Sequence, residues 1–334
     1  MFPDKLLSLT FYFKIKQIIL LDNLCTFANY YYLCTQFYFI MQCKTPLRYP
    51  GGKSLMTSFF IDLFKVNNLC GVSYAEPYAG GAGAAINLLL NGYVNRILIN
   101  DASVPVYSFW KYIKDENSRF IDTILNCKVN LNTWKTMHDI VKYYKEPCFE
   151  LAFAVFFLSR TNRSGILNGG PIGGASEQNQ ISAPYKIDCR FNKIDLAKRI
   201  ENIGRKRSHI VVTNKDAIKF LKDLKKCDNL FVYLDPPYYK KGKSLYLDYY
   251  NHKDHEDLAC YLKKTLKFKW VLSYDCVEEI KALYSDFPLY TFNLNYTVQK
   301  VKIGQELLTH SKNIVMPTTM NIARKGKNII INKI

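Results

Sequence analysis

An apolar run of strand length, Phe231-Val232-Tyr233-Leu234, stops at Asp235-Pro236-Pro237-Tyr238. Proline fixes φ and lacks an N–H, so two in succession end a strand and lock the backbone beyond it. A carboxylate and a backbone carbonyl then project from the end of a strand that reads as buried and parallel. Open α/β sheets bind ligands at that carboxyl edge. Taken alone, the tetrapeptide is equally a strand ending in a turn, with Asp accepting local N–H bonds.

The stretch resembles the Asp-Pro-Pro-Tyr motif of amino-methyltransferases, which act on exocyclic nitrogens of DNA bases. The chemistry accounts for the residue types. The amine of adenine is a poor nucleophile because its lone pair is delocalised. An acceptor pair, the Asp235 side chain and the Pro236 carbonyl, favours a more tetrahedral nitrogen and stabilises the positive charge that develops on it. Tyr238 is the expected stacking partner of a flipped base.

Three further segments occur in an order that matches the Dam-type DNA adenine-N6 methyltransferases. Tyr49-Pro50-Gly51-Gly52-Lys53 precedes a predicted helix, whose free N–H groups favour an anion. It resembles the family's first cofactor segment, and the resemblance implies cofactor contacts at Tyr49, Gly51, Gly52 and Lys53. Glu76-Pro77-Tyr78-Ala79-Gly80-Gly81-Ala82-Gly83 links a short strand to a helix from about Ala84. It is not a dinucleotide fingerprint, since Ile86 stands where the third glycine belongs. It resembles the family's glycine loop, which implies that Glu76, Pro77, Gly80, Gly81 and Gly83 wrap the methionine part of S-adenosylmethionine. Asp101, at the end of the strand Arg96–Asn100, is placed for a ribose diol or to cap the helix after it. The resemblance implies that Asp216, after the strand Ile210–Asn214, meets the cofactor adenine; the alternative is that it caps the next helix.

Between these halves, residues 168–183 are rich in Gly, Asn, Ser and Gln, as in a recognition loop. The resemblance extends to Arg160, Asn162 and Arg163, which then face phosphates or base edges. Lys240, Lys241 and Lys243 form a basic loop placed for the phosphates flanking a flipped base. The net charge of +18 agrees with a polyanionic partner, though lysine-rich composition also follows from genomic base bias.

The expected fold is a doubly wound, mostly parallel α/β sheet of Rossmann-like type. Its core covers 41–115 and 195–334, and a mostly helical target-recognition insert covers 116–194. Closing strands are expected at 268–274, 289–294 and 312–315. The expected cofactor is S-adenosylmethionine, with no metal, and the expected partners are double-stranded DNA and a cognate restriction endonuclease. A monomer in the cytoplasm is expected. The rival readings are a cytosine-N4 enzyme, a methyltransferase of RNA or protein glutamine, and a catalytically dead DNA-binding protein.

The ten cysteines form no Cys-x-x-Cys pair and read as free, buried thiols. His252 and His255 read as surface or capping residues. Residues 1–40 differ from the rest: eleven are Phe or Tyr, and no charge falls between Asn23 and Cys43. Their polar content makes a poor membrane span. Met41 is therefore the expected start, with a membrane-associated extension as the alternative.

Overall fold

The computed structural model describes residues 45–51, 53–240, 250–264, 268–297, 301–318, 321–324 and 327–334. The aromatic-rich residues 1–40 lie outside the described residues, as do Gly52, Lys241 and Lys243. The strands are β1 (Ser73–Glu76), β2 (Arg96–Asn100), β3 (Ile210–Thr213), β4 (Leu230–Leu234), β5 (Lys269–Asp275), β6 (Leu289–Thr297), β7 (Val301–His310), β8 (Asn321–Arg324), β9 (Lys327–Ile330) and β10 (Asn332–Lys333). Eight form one sheet in the order β3-β2-β1-β4-β5-β7-β6-β10. β1 to β5 run parallel, β7 runs antiparallel between β5 and β6, and β10 is antiparallel to β6.

β4 is buried along its whole length, as its unbroken apolar run predicts. Successive side chains alternate between faces. Tyr74, Phe231 and Tyr233 meet Phe60 of helix α1 (Thr57–Val66) on one face. Ala75, Val232 and Leu234 belong to the cluster on the other, with Leu258, Leu262 and Ile280. Helices thus cover both faces, and the fold is the mixed α/β, Rossmann-like arrangement. The strand order reverses between β1 and β4, which opens a crevice at their carboxyl ends.

Helix α2 (Gly83–Leu90) follows β1, and α3 (Val104–Asp115) follows β2 with Pro105 in its first turn. The next stretch holds α4 (Asn117–Asn126), α5 (Leu131–Tyr143), α6 (Phe149–Thr161) and α7 (Glu177–Ser182). α6 is buried on every side except at Glu150. Its Phe153 and Phe156 join Phe120 of α4, and Phe156 also meets Phe109 of α3. α8 (Lys193–Gly204) and α9 (Ala217–Asp223) lead back to the sheet, and α10 (His252–Lys263) lies between β4 and β5. No helix among the described residues is long and apolar enough to cross a membrane.

Three expectations are corrected. Residues 312–315 form a turn and coil, and the strand beside β5 is β7 instead. His255 is 1% exposed, its Nδ1 lying 2.7 Å from the Tyr274 hydroxyl, because α10 turns that face onto β5. The seven described cysteines are free, but none is fully buried.

Candidate active site

A cavity of about 140 Å³ opens at the carboxyl ends of β1 and β4. Of the residues singled out in the sequence, it is lined by Tyr49, Gly51, Lys53, Glu76, Pro77, Gly80, Gly81, Gly83, Asp101, Asp216, Asp235 and Pro237. They come from five separate stretches, brought together where the strand order reverses.

The glycine loop is shaped by close approach. Gly80 has φ +45°, and a Cβ there would sit 2.8 Å from the Tyr49 ring. A Cβ on Gly83 would sit 2.9 Å from the Ser54 side chain. Any larger residue would push Tyr49 or Ser54 out of place. Trp110 Nε1 donates to the Gly80 carbonyl at 2.8 Å, and Thr45 Oγ1 donates to the Gly81 carbonyl at 2.7 Å. Asp101 accepts from the Gly80 and Ser103 amides at 2.8 and 3.0 Å, so it fixes the loop as well as lining the cavity. Asp216 caps α9 by accepting from the Lys219 amide at 3.0 Å, and it also lines the cavity.

Glu76 is 4% exposed. Its Oε1 accepts from the Tyr74 hydroxyl at 2.9 Å and the Ala85 amide at 3.1 Å, which ties the end of β1 to the start of α2. Burial pushes its carboxyl up to about 8, against the pull of those two hydrogen bonds.

Asp235 Oδ1 accepts from Lys53 Nζ at 2.7 Å and from Ser273 Oγ at 2.9 Å. Ser273 is itself 2.7 Å from the Tyr233 hydroxyl. Lys53 lines the cavity, but its ammonium is committed to Asp235. Burial opposes that charge, yet Asp235 and Glu306 beside it hold the ammonium well above the usual lysine range. Two donors on one oxygen fix the plane of the carboxylate.

Tyr238 is placed differently from the expectation. It is 4% exposed and does not line the cavity. Its hydroxyl donates to Glu306 at 2.6 Å and accepts from Lys53 at 3.2 Å. The ring is buried with its hydroxyl engaged, and a base could stack on it only by displacing what covers it. Pro236 is likewise buried.

The expected DNA contacts divide. Arg160 is 8% exposed and donates to the Pro46 and Thr45 carbonyls; burial, with Arg199 and Arg48 nearby, pushes it down to about 9. Asn162 is fully buried: it accepts from Trp134 Nε1 at 2.6 Å and donates to the Ile166 and Leu167 carbonyls at 2.8 and 3.0 Å. Both side chains satisfy the protein's own backbone, which removes them from the DNA surface. Arg163 and Lys240 are exposed.

Sequence reasoning missed Ser103, Tyr233, Tyr250, Ser273 and Glu306. A polar residue inside an otherwise apolar strand, as Ser273 is between Leu272 and Tyr274, was the available signal. No group of three or more His, Cys, Asp or Glu suited to a metal ion occurs among the described residues.

The model of the D12 class N6 adenine-specific DNA methyltransferases matches residues 49–298. No curated protein matches. Among solved structures, the chain is similar to a Pyrococcus horikoshii protein described as a candidate RNA methyltransferase. The identity is 10%, the TM-score is 0.35, and the likeness covers 80% of this chain and 88% of that one. A Legionella pneumophila protein is similar at 10% identity and a TM-score of 0.24, over 75% of this chain and 84% of that one.

Proposed function

Because the chain belongs to the D12 class N6 adenine-specific DNA methyltransferase family, we propose that it transfers methyl from S-adenosylmethionine to adenine N6 in a specific double-stranded DNA sequence, acting on a flipped base. The observation that carries this reading is Asp235. Its carboxylate stands at the cavity with one oxygen clamped by Lys53 and Ser273.

The cavity fits such a cofactor. Gly80, Gly81 and Gly83 leave backbone open where any side chain would intrude. Ser103 Oγ lines the cavity and is buried without a hydrogen-bond partner among the described residues. Asp101 and Asp216 rim the same space and favour a cation. Tyr49, Glu76, the glycine loop, Asp101 and Asp216 are the residues that would hold S-adenosylmethionine. When bound, it supplies an electrophilic methyl group.

The chain's own contribution is orientation and charge. The second oxygen of Asp235 and the Pro236 carbonyl accept the two N–H groups of the target amine. The clamp on Oδ1 means that this acceptor needs no reorganisation as charge develops on nitrogen. The net charge of +18 supplies sequence-independent attraction to the duplex. The segment 116–194 is the proposed target reader, through Arg163 and the polar loop after it.

Nucleoside mass spectrometry of digested DNA, after incubation with chain and cofactor, tests the reading. N6-methyladenine is the expected product. N4-methylcytosine alone, or methylation of RNA or protein alone, would overturn it.

A further inference from the structure

β7 carries a buried acid that lies beyond the family match, which ends at residue 298. Glu306 is 1% exposed and is flanked in register by Asp275 of β5 and Phe292 of β6. Its Oε1 accepts the Tyr238 hydroxyl at 2.6 Å, and its Oε2 is 3.6 Å from Lys53 Nζ. Lys53 donates to the Tyr238 oxygen at 3.2 Å and to Asp235 Oδ1 at 2.7 Å. A continuous run of proton-bearing groups therefore joins the catalytic carboxylate to Glu306. Burying a carboxylate in a sheet costs several kcal/mol before its partners offset it. Leu307 and Leu308, next along β7, are completely buried. A buried acid wired to the reacting group is a candidate for function.

Resting on the adenine-methylation reading, we propose that Glu306 is a positioning residue that takes up, through Tyr238 and Lys53, the proton released by the methylated amine at Asp235. The methylated nitrogen carries one hydrogen too many. Its N–H bond breaks, the electron pair stays on nitrogen, and the proton goes to Asp235. Tyr238 passes its hydroxyl proton to Glu306, Lys53 replaces it on the Tyr238 oxygen, and Lys53 regains a proton from Asp235. Asp235 is again ionised, Lys53 charged and Tyr238 neutral, and Glu306 holds the extra proton until turnover ends.

The charged and titratable groups facing Glu306 are Lys53 before α1, Asp235 and Tyr238 after β4, and Asp275 on β5. Burial raises the acid above the usual carboxylate range, Lys53 lowers it, and Asp235 raises it again. A raised acid suits a site that must hold a proton and then return it.

The test is Glu306→Gln, which keeps an oxygen for the Tyr238 hydroxyl but cannot take a proton. Single-turnover methylation of duplex DNA should slow about 100-fold. Cofactor affinity measured by calorimetry should be unchanged. The wild-type rate should fall as pH drops through the raised Glu306 pKa, since a protonated Glu306 cannot accept. That acid limb should be missing in Glu306→Gln and return, with part of the rate, in Glu306→Asp. Infrared spectroscopy of the chain without DNA should show a carboxylic acid band titrating above the ordinary range, lost in Glu306→Gln. A variant as fast as wild type, a slow variant with the wild-type acid limb, or an unchanged infrared band would overturn the proposal alone. A wild-type chain that keeps the band yet methylates no adenine would overturn it through the reading on which it rests.

Discussion

Polar residues meet opposite fates at the carboxyl edge of the sheet and at the end of α6. At the sheet edge, Tyr49, Glu76, Asp101 and Asp235 converge on one cavity from four stretches of sequence. At the end of α6, Arg160 and Asn162 turn inward and serve the protein's own carbonyls. The cause is what each residue follows. Beyond the last residue of a parallel strand the chain leaves the sheet, and at a reversal in strand order it leaves a crevice. α6 is enclosed on nearly all sides, so a side chain leaving its last turn meets protein in most directions. There the polar groups must be satisfied internally or not at all.

Removing Asp235 should break the sheet-edge half of this contrast with the largest effect. Asp235→Ala is expected to slow methyl incorporation by about 100- to 1000-fold, the usual cost of losing one preorganised group. Cofactor binding should be largely spared, because the proposed role of Asp235 is toward the target amine. Near-normal turnover would take the catalytic role from Asp235.

The helix-end half should fail in stability rather than chemistry. Asn162→Ala strands the Trp134 N–H and two carbonyls, which should cost about 2–3 kcal/mol, read as a lower denaturation midpoint. The salt dependence of DNA binding by the folded variant should match wild type. A flatter dependence with full stability would return Asn162 to the DNA and dissolve the contrast.

Glu76 shows the sheet edge carrying a cost of its own. Its carboxyl, pushed up to about 8 by burial, has an ordinary value of 4.5. The folded state therefore holds this proton over a range where the unfolded chain has lost it. The stabilisation is complete below the ordinary value and disappears as pH rises through about 8. Glu76→Gln should remove an effect of several kcal/mol, on the order of 5, from the pH dependence of stability. An unaltered pH profile would mean that Glu76 is ionised in the folded chain.

The same contrast explains what could be read in advance. β4 was legible because its apolar run ends abruptly at Asp235-Pro236-Pro237, and the cavity-lining motifs were legible because glycine and proline punctuate strand ends. β7 was not. Its sequence, with Gly304, Gln305 and Glu306 ahead of Leu307 and Leu308, lacks a clean alternation, and the closing strand was expected at 312–315 instead. Arg160 and Asn162 look like nucleic-acid contacts by residue type. Only the enclosure of α6, a tertiary property, decides that they face carbonyls. His255 was hidden in the same way, since the Tyr274 hydroxyl that satisfies it lies on a different element.

The smallest effect expected is at the surface next to that enclosed helix. Arg163 is three residues beyond Arg160 and differs from it in being exposed, as is Lys240 beyond the Asp-Pro-Pro-Tyr turn. If exposure separates DNA contacts from internal ties, the pair Arg163→Ala and Lys240→Ala should weaken duplex binding modestly and equally across sequences. The slope of log affinity against log salt should flatten by about two phosphate contacts, with stability unchanged. Arg160→Ala should do the reverse, lowering the denaturation midpoint and leaving the slope alone. Loss of slope in Arg160→Ala would show that the inward-facing guanidinium swings out to meet DNA, and burial would then no longer tell the two kinds of arginine apart.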